Sequence, residues 1–411
     1  MKLNRQIISI IFFFISIFTE IKADRCYDEI ILDGSEKIIN YGMDTTNHWW
    51  AITQPFEGQY RIIIDGEKSN PYVKYKSLVF SPDGRKWAYF ARDNVQWYLV
   101  TNDTIKPVGE NVGELVYTGN SQKLIYSFFE ATNEIIAFDK KRINTRFRVG
   151  KLYLNYNGTK LAFMNKMGKR YSMFINDYET TVFDEIIPIG FWCDGKFLYA
   201  GRNGNFWEIY KNDESLTEPF SGIIQAQVAT NETYAGILAR RPSGDAVAIL
   251  LDDNYYEPLI SKSYDWVGDM VLHPSIAMFA YKAKINEAYC IVFNSTEIGG
   301  GQVTGIPYFT HNGEDMYFIG CNIHCFVNIN GKQFQLDNEI PVDMVYAMKP
   351  GSNTIAYSTG SSLVVRFLEQ KELVAGMMVD EITPPRFNWR TNRYEALGRI
   401  NQRLYMLTCK V

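Results

Sequence analysis

Ser81-Pro82-Asp83-Gly84-Arg85-Lys86-Trp87-Ala88-Tyr89-Phe90 reads as a tight turn feeding an apolar strand. Pro82 presets φ, Asp83 can bond back to its own backbone, and Gly84 accepts a positive φ. The aromatic and small apolar residues that follow suit a buried strand. Degraded copies of the stretch recur along the chain. With Trp87 as the first strand residue, the equivalents are Trp50, Leu124, Leu161, Phe197, Tyr234, Ile276, Met316, Ile355 and Tyr394, at steps of 36 to 42 residues. The next residue is alanine at 51, 88, 162, 235, 277 and 356, so close packing of one sheet on another wants a small side chain there. Turn pairs stand just upstream in most copies, as at Asn157-Gly158, Asp194-Gly195, Asn312-Gly313 and Pro350-Gly351.

A fixed period of this size implies stacked supersecondary units. Each period holds four short strands. In the second copy these fall at 76–81 (a), 87–92 (b), 96–101 (c) and near 104–108 (d). Four antiparallel strands per period is the blade of a β-propeller. Fold class is therefore all-β, a propeller of about ten four-stranded blades spanning 24–411. The strand Tyr27–Leu32 has no partners in its own copy, while the last copy, from about Glu381, has strands a, b and c only. The first strand is expected to supply the missing d and close the ring. Two five-repeat rings parting near Ser221 are the alternative.

The Ser81–Tyr89 stretch resembles the repeat of TolB-type, WD-repeat-like bacterial propellers, whose core reads Ser-Pro-Asp-Gly, two residues, then Ile/Leu-Ala-Tyr/Phe. Asn157–Phe163 and Pro350–Tyr357 match in part. The resemblance implies a fold and supplies no functional residues, and the α/β domain that precedes the propeller in TolB is not visible here. The sialidase Asp-box, Ser-x-Asp-x-Gly-x-Thr-Trp, is approached by Ser81, Asp83 and Trp87, but Gly84 comes one residue early.

Residues 1–23 read as a secretory signal peptide: Lys2 and Arg5, the apolar run Ile7–Phe18, then Ile21-Lys22-Ala23. An uncleaved anchor is the other reading. No further long apolar run exists, so no transmembrane segment is expected in the mature chain. Losing Lys2, Arg5, Lys22 and Glu20 from 42 basic and 46 acidic groups moves the net charge from −4 to −6, which argues against nucleic-acid binding.

Strand c of the last copy ends near Cys409, and the first strand begins at Cys26. Antiparallel pairing would set them side by side. A Cys26–Cys409 disulfide is expected, contributing ~3–5 kcal/mol if unstrained, and an exported compartment permits it. Cys321 and Cys325 flank Asn322-Ile323-His324 at a hairpin tip. A local disulfide, free thiols or a Cys/His metal site are the options, with the disulfide preferred and no metal assigned. Cys193 and Cys290 are left unpaired.

Enzymatic signatures are lacking. His48, His273 and His311 fall at a–b turns, and His273 and His311 could meet across two blades. No nucleophile elbow, zinc-protease motif or phosphate loop is present. Charge does sort by position. In a propeller, d–a and b–c connections share one face, and a–b and c–d turns share the other. The first set carries Arg92, Lys166, Lys169, Arg170, Arg202, Arg240, Arg241, Lys282, Lys284, Arg399 and Arg403, with Arg148 on a d–a segment. The second carries Asp44, Asp65, Asp83, Asp103, Asp139, Asp177, Asp194, Asp213, Asp252, Asp253, Glu314 and Asp315. Glu130 and Glu287 on the first side, and Lys140, Lys141 and Arg142 on the second, are exceptions. The longest step includes the b–c loop Arg240-Arg241-Pro242-Ser243-Gly244, expected to project from the basic side. Aspartate is favoured in tight turns for backbone reasons, so the asymmetry has a structural reading beside the functional one. The sequons at Asn102, Asn157, Asn231 and Asn294 all map to the acidic side.

The expectation is an exported, non-catalytic binding or scaffold propeller, periplasmic or extracellular, monomeric and without cofactor. Its d–a/b–c side would receive a protein, an anionic glycan or another anionic ligand through Arg92, Lys169, Arg170, Arg202, Arg240, Arg241, Lys282, Lys284, Arg399 and Arg403. The alternative is a carbohydrate-active enzyme of sialidase or lyase type. It would need carboxylates, Arg and Tyr at the starts of the a strands, and Ser77, Glu114, Lys151, Gly190, Gln227, Asp269, Pro307 and Met344 do not form that set.

Overall fold

The repeat becomes sheet after sheet. The structure is a computed structural model describing residues 25–138, 141–145, 149–255, 257–336 and 344–411. The predicted leader 1–23, Asp139, Lys140 and Arg148 lie outside the described residues. Among those described, no helix is assigned. There are seven four-stranded sheets, one of five strands and one of nine. Each four-stranded sheet is an antiparallel meander in chain order. The second repeat has Lys74–Phe80 (a), Trp87–Arg92 (b), Trp97–Thr101 (c) and Ile105–Gly109 (d). The nine-stranded sheet holds repeats seven and eight, joined by a parallel bridge between Gly301 and Cys321.

Strand b starts within one residue of the sequence expectation in every repeat but the seventh. There Ile276-Ala277 lies in the turn, and the strand begins at Phe279-Ala280. The reason is a longer turn. The His273 Nδ1 accepts the N–H groups of Ser275 and Ile276, and Met278 N–H bonds to the Ile276 carbonyl. Ala280 therefore takes the small-residue position. Ala51, Ala88, Ala162, Ala235, Ala280 and Ala356 are all fully buried.

Each belongs to an apolar layer between two successive sheets. Ala88 packs between repeats two and three, Ala235 between five and six, and Ala280 between seven and eight. The core is thus a series of thin sandwiches, and a larger side chain at these alanines would overpack one of them.

The chain forms two compact units. The larger takes 58–60 and, among the described residues, 71–336. In it the first strands of successive sheets touch one another: Lys74–Phe80 with Asn111–Tyr117, that strand with Leu152–Leu154, and so on to Trp266–Leu272 with Tyr308–Phe309. Contact between innermost strands is the blade arrangement of a propeller. The smaller unit takes 25–57, 61–70 and 344–411 and holds repeats nine, ten and one. Ser221 lies inside the larger unit, its N–H on the Arg240 carbonyl.

In the smaller unit Cys26–Leu32 pairs antiparallel with Arg403–Lys410, as expected, and Cys26 stands opposite Cys409. The two sulfurs are bonded, as are those of Cys321 and Cys325. Cys193 and Cys290 are free.

The positions read from sequence as a-strand starts prove to be mid-strand in several repeats. The a strands of repeats one, two, three, five, six and seven carry register shifts, and Ser77 and Asp269 take positive φ at theirs. A bulge of this kind re-aims side chains along the inner strand.

Candidate interaction surface

A b–c hairpin turns on one or two residues that tolerate positive φ, such as Gly58, Ala131, Gly168, Gly204 and Asn401. The basic residue that ends strand b sits beside the start of strand a. In five repeats its carbonyl accepts the N–H of the residue opening or just preceding strand a: Val73 to Arg92, Asp184 to Arg202, Ser221 to Arg240, Asp265 to Lys284, and Asp380 to Arg399. Where that residue is aspartate, its carboxylate also caps the hairpin tip. Asp184, Asp265 and Asp380 accept the N–H of Gly204, Asn286 and Asn401, each at 2.8 Å.

This arrangement gives half of the predicted basic residues a counter-ion of their own. Arg170 meets Asp184 at 3.5 Å and Arg202 meets Glu185 at 3.1 Å, so those two arginines are brought together. Arg241 meets Asp245 at 3.3 Å, Lys284 meets Glu287 at 2.6 Å, and Arg399 is bound by Glu381. Lys282 and Lys284 share the face of Tyr289. Arg240 donates to the Gly244 carbonyl at 3.2 Å. Lys169 and Arg403 are exposed, and the buried Nε of Arg92 has no hydrogen-bond partner.

The 240–244 loop is compact. Asp245 gathers Ser243, Ser263 and Arg241, and the two serine hydroxyls, with Arg241, hold its carboxyl down at about 2. The extra length of the sixth step lies also in the c–d connection 253–258 and the longer turn at 273–278.

The opposite turns are occupied with one another. Lys86, Lys123 and Lys160 each precede strand b. Each ammonium donates to a carbonyl of the next a–b turn: Ser121 at 3.1 Å, Gly158 at 3.2 Å and Gly195 at 3.1 Å. Cys193 N–H bonds to the Glu232 carbonyl, and the Glu232 carboxylate accepts Tyr156 N–H. Burial pushes that carboxyl up to about 7, against the pull of Tyr156 N–H and Lys160. His273 donates Nε2 to the Gly313 carbonyl at 3.0 Å, which places it against the turn that carries His311. A lysine at one fixed repeat position is the sequence signal that would have found this ladder.

Large apolar side chains are exposed on both kinds of connection, Trp389, Tyr156 and Ile276 among those on a–b turns. In the larger unit the two most exposed large apolar side chains are Ile323 (90%) and Val95 (80%). In the smaller they are Met378 (74%) and Phe56 (65%). Ile323 and Val95 sit on b–c connections, Met378 sits on a d–a connection, and Phe56 ends strand b of the first repeat at its b–c turn. The next, Tyr255 at 58%, is on a c–d connection. The sequence reading missed these four. The available signal was a large hydrophobe at a hairpin tip among turn residues, as in Asn94-Val95-Gln96 and Asn322-Ile323-His324.

An enzyme would want charge on an innermost strand. The tenth repeat carries Arg386, Asn388 and, opposite Arg386, Glu395. Glu395 is taken by Asn388 at 2.9 Å and Thr391 at 3.0 Å, so its carboxylate is committed to the a–b turn. Burial lowers the Arg386 pKa, and Asp44 opposes that shift.

No protein-family model matches the chain, and no curated protein matches it in sequence. Solved structures match it in shape. A eukaryotic initiation factor is 12% identical over 74% of this chain and 88% of that one, with TM-score 0.47. The β-propeller domain of the Trilobed protease from Pyrococcus furiosus is 13% identical over 64% and 97%, with TM-score 0.34. Oligogalacturonate lyase from Vibrio parahaemolyticus is 8% identical over 73% and 97%, with TM-score 0.33. Propeller proteins are thus among the structures this chain is similar to; their activities are their own.

Proposed function

We propose that the chain is an exported binding propeller that engages a partner protein through the b–c and d–a connections of its larger unit. The observation that carries this reading is the placement of Ile323 and Val95, the most exposed large apolar side chains of that unit, on b–c connections. Exposed apolar groups scattered singly need no explanation; here the two most exposed of the unit share one kind of connection, well above Tyr255, Tyr156 and Ile276 on the others. The arginines and lysines on the same kind of connection in other repeats are neutralised in half the cases. They suit a polar rim that sets orientation better than a bare cationic field. The opposite turns are spent on bonds to one another. The two disulfides suit an oxidising compartment.

The test compares three immobilised forms of the chain against the secreted and surface proteins of the cells that make it. The first is unaltered. The second carries Val95→Ser and Ile323→Ser. The third carries Tyr156→Ser and Ile276→Ser on the opposite turns of the same unit. The reading predicts one captured partner with the first and third forms and its loss with the second, at unchanged circular dichroism. Loss with the third form alone, or equal capture by all three, would overturn it.

A further inference from the structure

Ile323 stands apart from the other exposed tips because of how it is held. Cys321 ends strand b of the eighth repeat, Cys325 opens strand c, and the two are opposite each other in the ladder and disulfide-bonded. Only Asn322, Ile323 and His324 lie between. The Asn322 N–H bonds to the His324 carbonyl at 3.1 Å, and its side-chain oxygen accepts the Gln302 N–H at 3.0 Å. Gly301 and Val303 both pair with Cys321. The loop is therefore braced from beneath by the d–a connection, and it carries its isoleucine outward; Val303, opposite Cys321, is half-exposed.

Two features say what such a tip fits. The first is rigidity. Ladder pairing already closes this hairpin, so the staple adds little to the fold; it removes freedom from the three residues between the cysteines. Ordering lost before binding is not lost again on binding. The second is charge. Neither 301–306 nor 321–325 contains Asp, Glu, Lys or Arg, although basic residues crowd the equivalent positions of other repeats. A lipid surface selects cationic and aromatic side chains, and this tip has neither. A small apolar knob with an amide and an imidazole at its rim suits a preformed pocket in another protein.

We propose that Ile323 is the anchor residue of the interface, inserting into an apolar pocket of the partner protein, with Asn322 and His324 meeting polar groups at the pocket's edge. The inference rests on the binding reading above and names the residue on which that binding turns.

The experiment places a photo-crosslinking amino acid at position 323 of the full-length chain in its producing cells. A parallel chain carries it at 95, and a control carries it at Asp103. The expected result is one protein adduct from 323 and none from 103. The partner so identified is then purified. Ile323→Ala should weaken its affinity ~10–100-fold, Ile323→Asp should abolish binding, and the Cys321→Ala/Cys325→Ala pair should weaken it ~3–10-fold through lost rigidity.

Adducts from 95 with none from 323, or full affinity in Ile323→Ala, would overturn the anchor and leave the binding side standing. Adducts from neither would sink the binding side itself. Vesicles of phosphatidylcholine and phosphatidylserine are the last arm. Binding to them that is lost in Ile323→Asp would overturn the protein pocket in favour of a membrane.

Discussion

Cys26–Cys409 and Cys321–Cys325 are the same bond put to opposite ends. The first joins residues 383 apart and fixes the N-terminal strand as the outer strand of the last sheet. The second joins residues four apart at a hairpin that its own ladder already closes. Chain entropy rewards long loops and barely rewards short ones. The long bridge therefore belongs to stability, and the short one to the shape of a surface. At the long bridge Cys409 is buried, and so is Tyr394 opposite it, whose hydroxyl donates to the Thr354 carbonyl and accepts the Lys349 N–H. Around the short one stands the most exposed apolar side chain of the described residues.

That contrast can be broken first by removing the long bridge. Cys26→Ala/Cys409→Ala should cost ~3–5 kcal/mol in denaturant unfolding and open residues 25–32 to proteolysis. A loss under 1 kcal/mol would show that strand pairing alone holds the first strand to the last. Next, Tyr394→Phe should cost ~1–3 kcal/mol, because it strands buried partners in the turn of the ninth repeat. The short bridge comes third: Cys321→Ala/Cys325→Ala should cost at most ~2 kcal/mol, and a larger loss would make it a second structural staple.

The smallest effect sharpens the picture of the opposite turns. The Glu232 carboxyl is raised from 4.5 to about 7 by burial. Its contribution to stability is complete below the unfolded value and is lost as pH rises through the folded one. Glu232→Gln should therefore match the parent in melting temperature at pH 5 and exceed it by ~2 °C at pH 8. The opposite ordering would mean that the charged form is the one the turns favour.

The fold was legible because turn chemistry and strand period repeat. Ser81–Phe90 predicts its own strand and, by analogy, the start of strand b in eight of the nine other repeats. The seventh misled because Ile276-Ala277 and Phe279-Ala280 fit the pattern equally well, and only the His273 turn decides between them. The Cys26–Cys409 pairing followed from counting strands in the last copy. The charges were legible, but their neutralisation was not. Arg202 finds Glu185, and Arg399 finds Glu381, across a strand pair that sequence distance conceals. The apolar tips were overlooked because a hydrophobe within a turn was counted as loop, although its place among turn residues is what makes it stand out.

Hydrogen–deuterium exchange, with and without the cross-linked partner, tests the central claim most directly. The account predicts protection at 93–96 and 321–325 and unchanged exchange at the a–b turns 81–86, 118–123 and 155–160. Protection centred on those turns, or on the c–d connection 253–258, would contradict it.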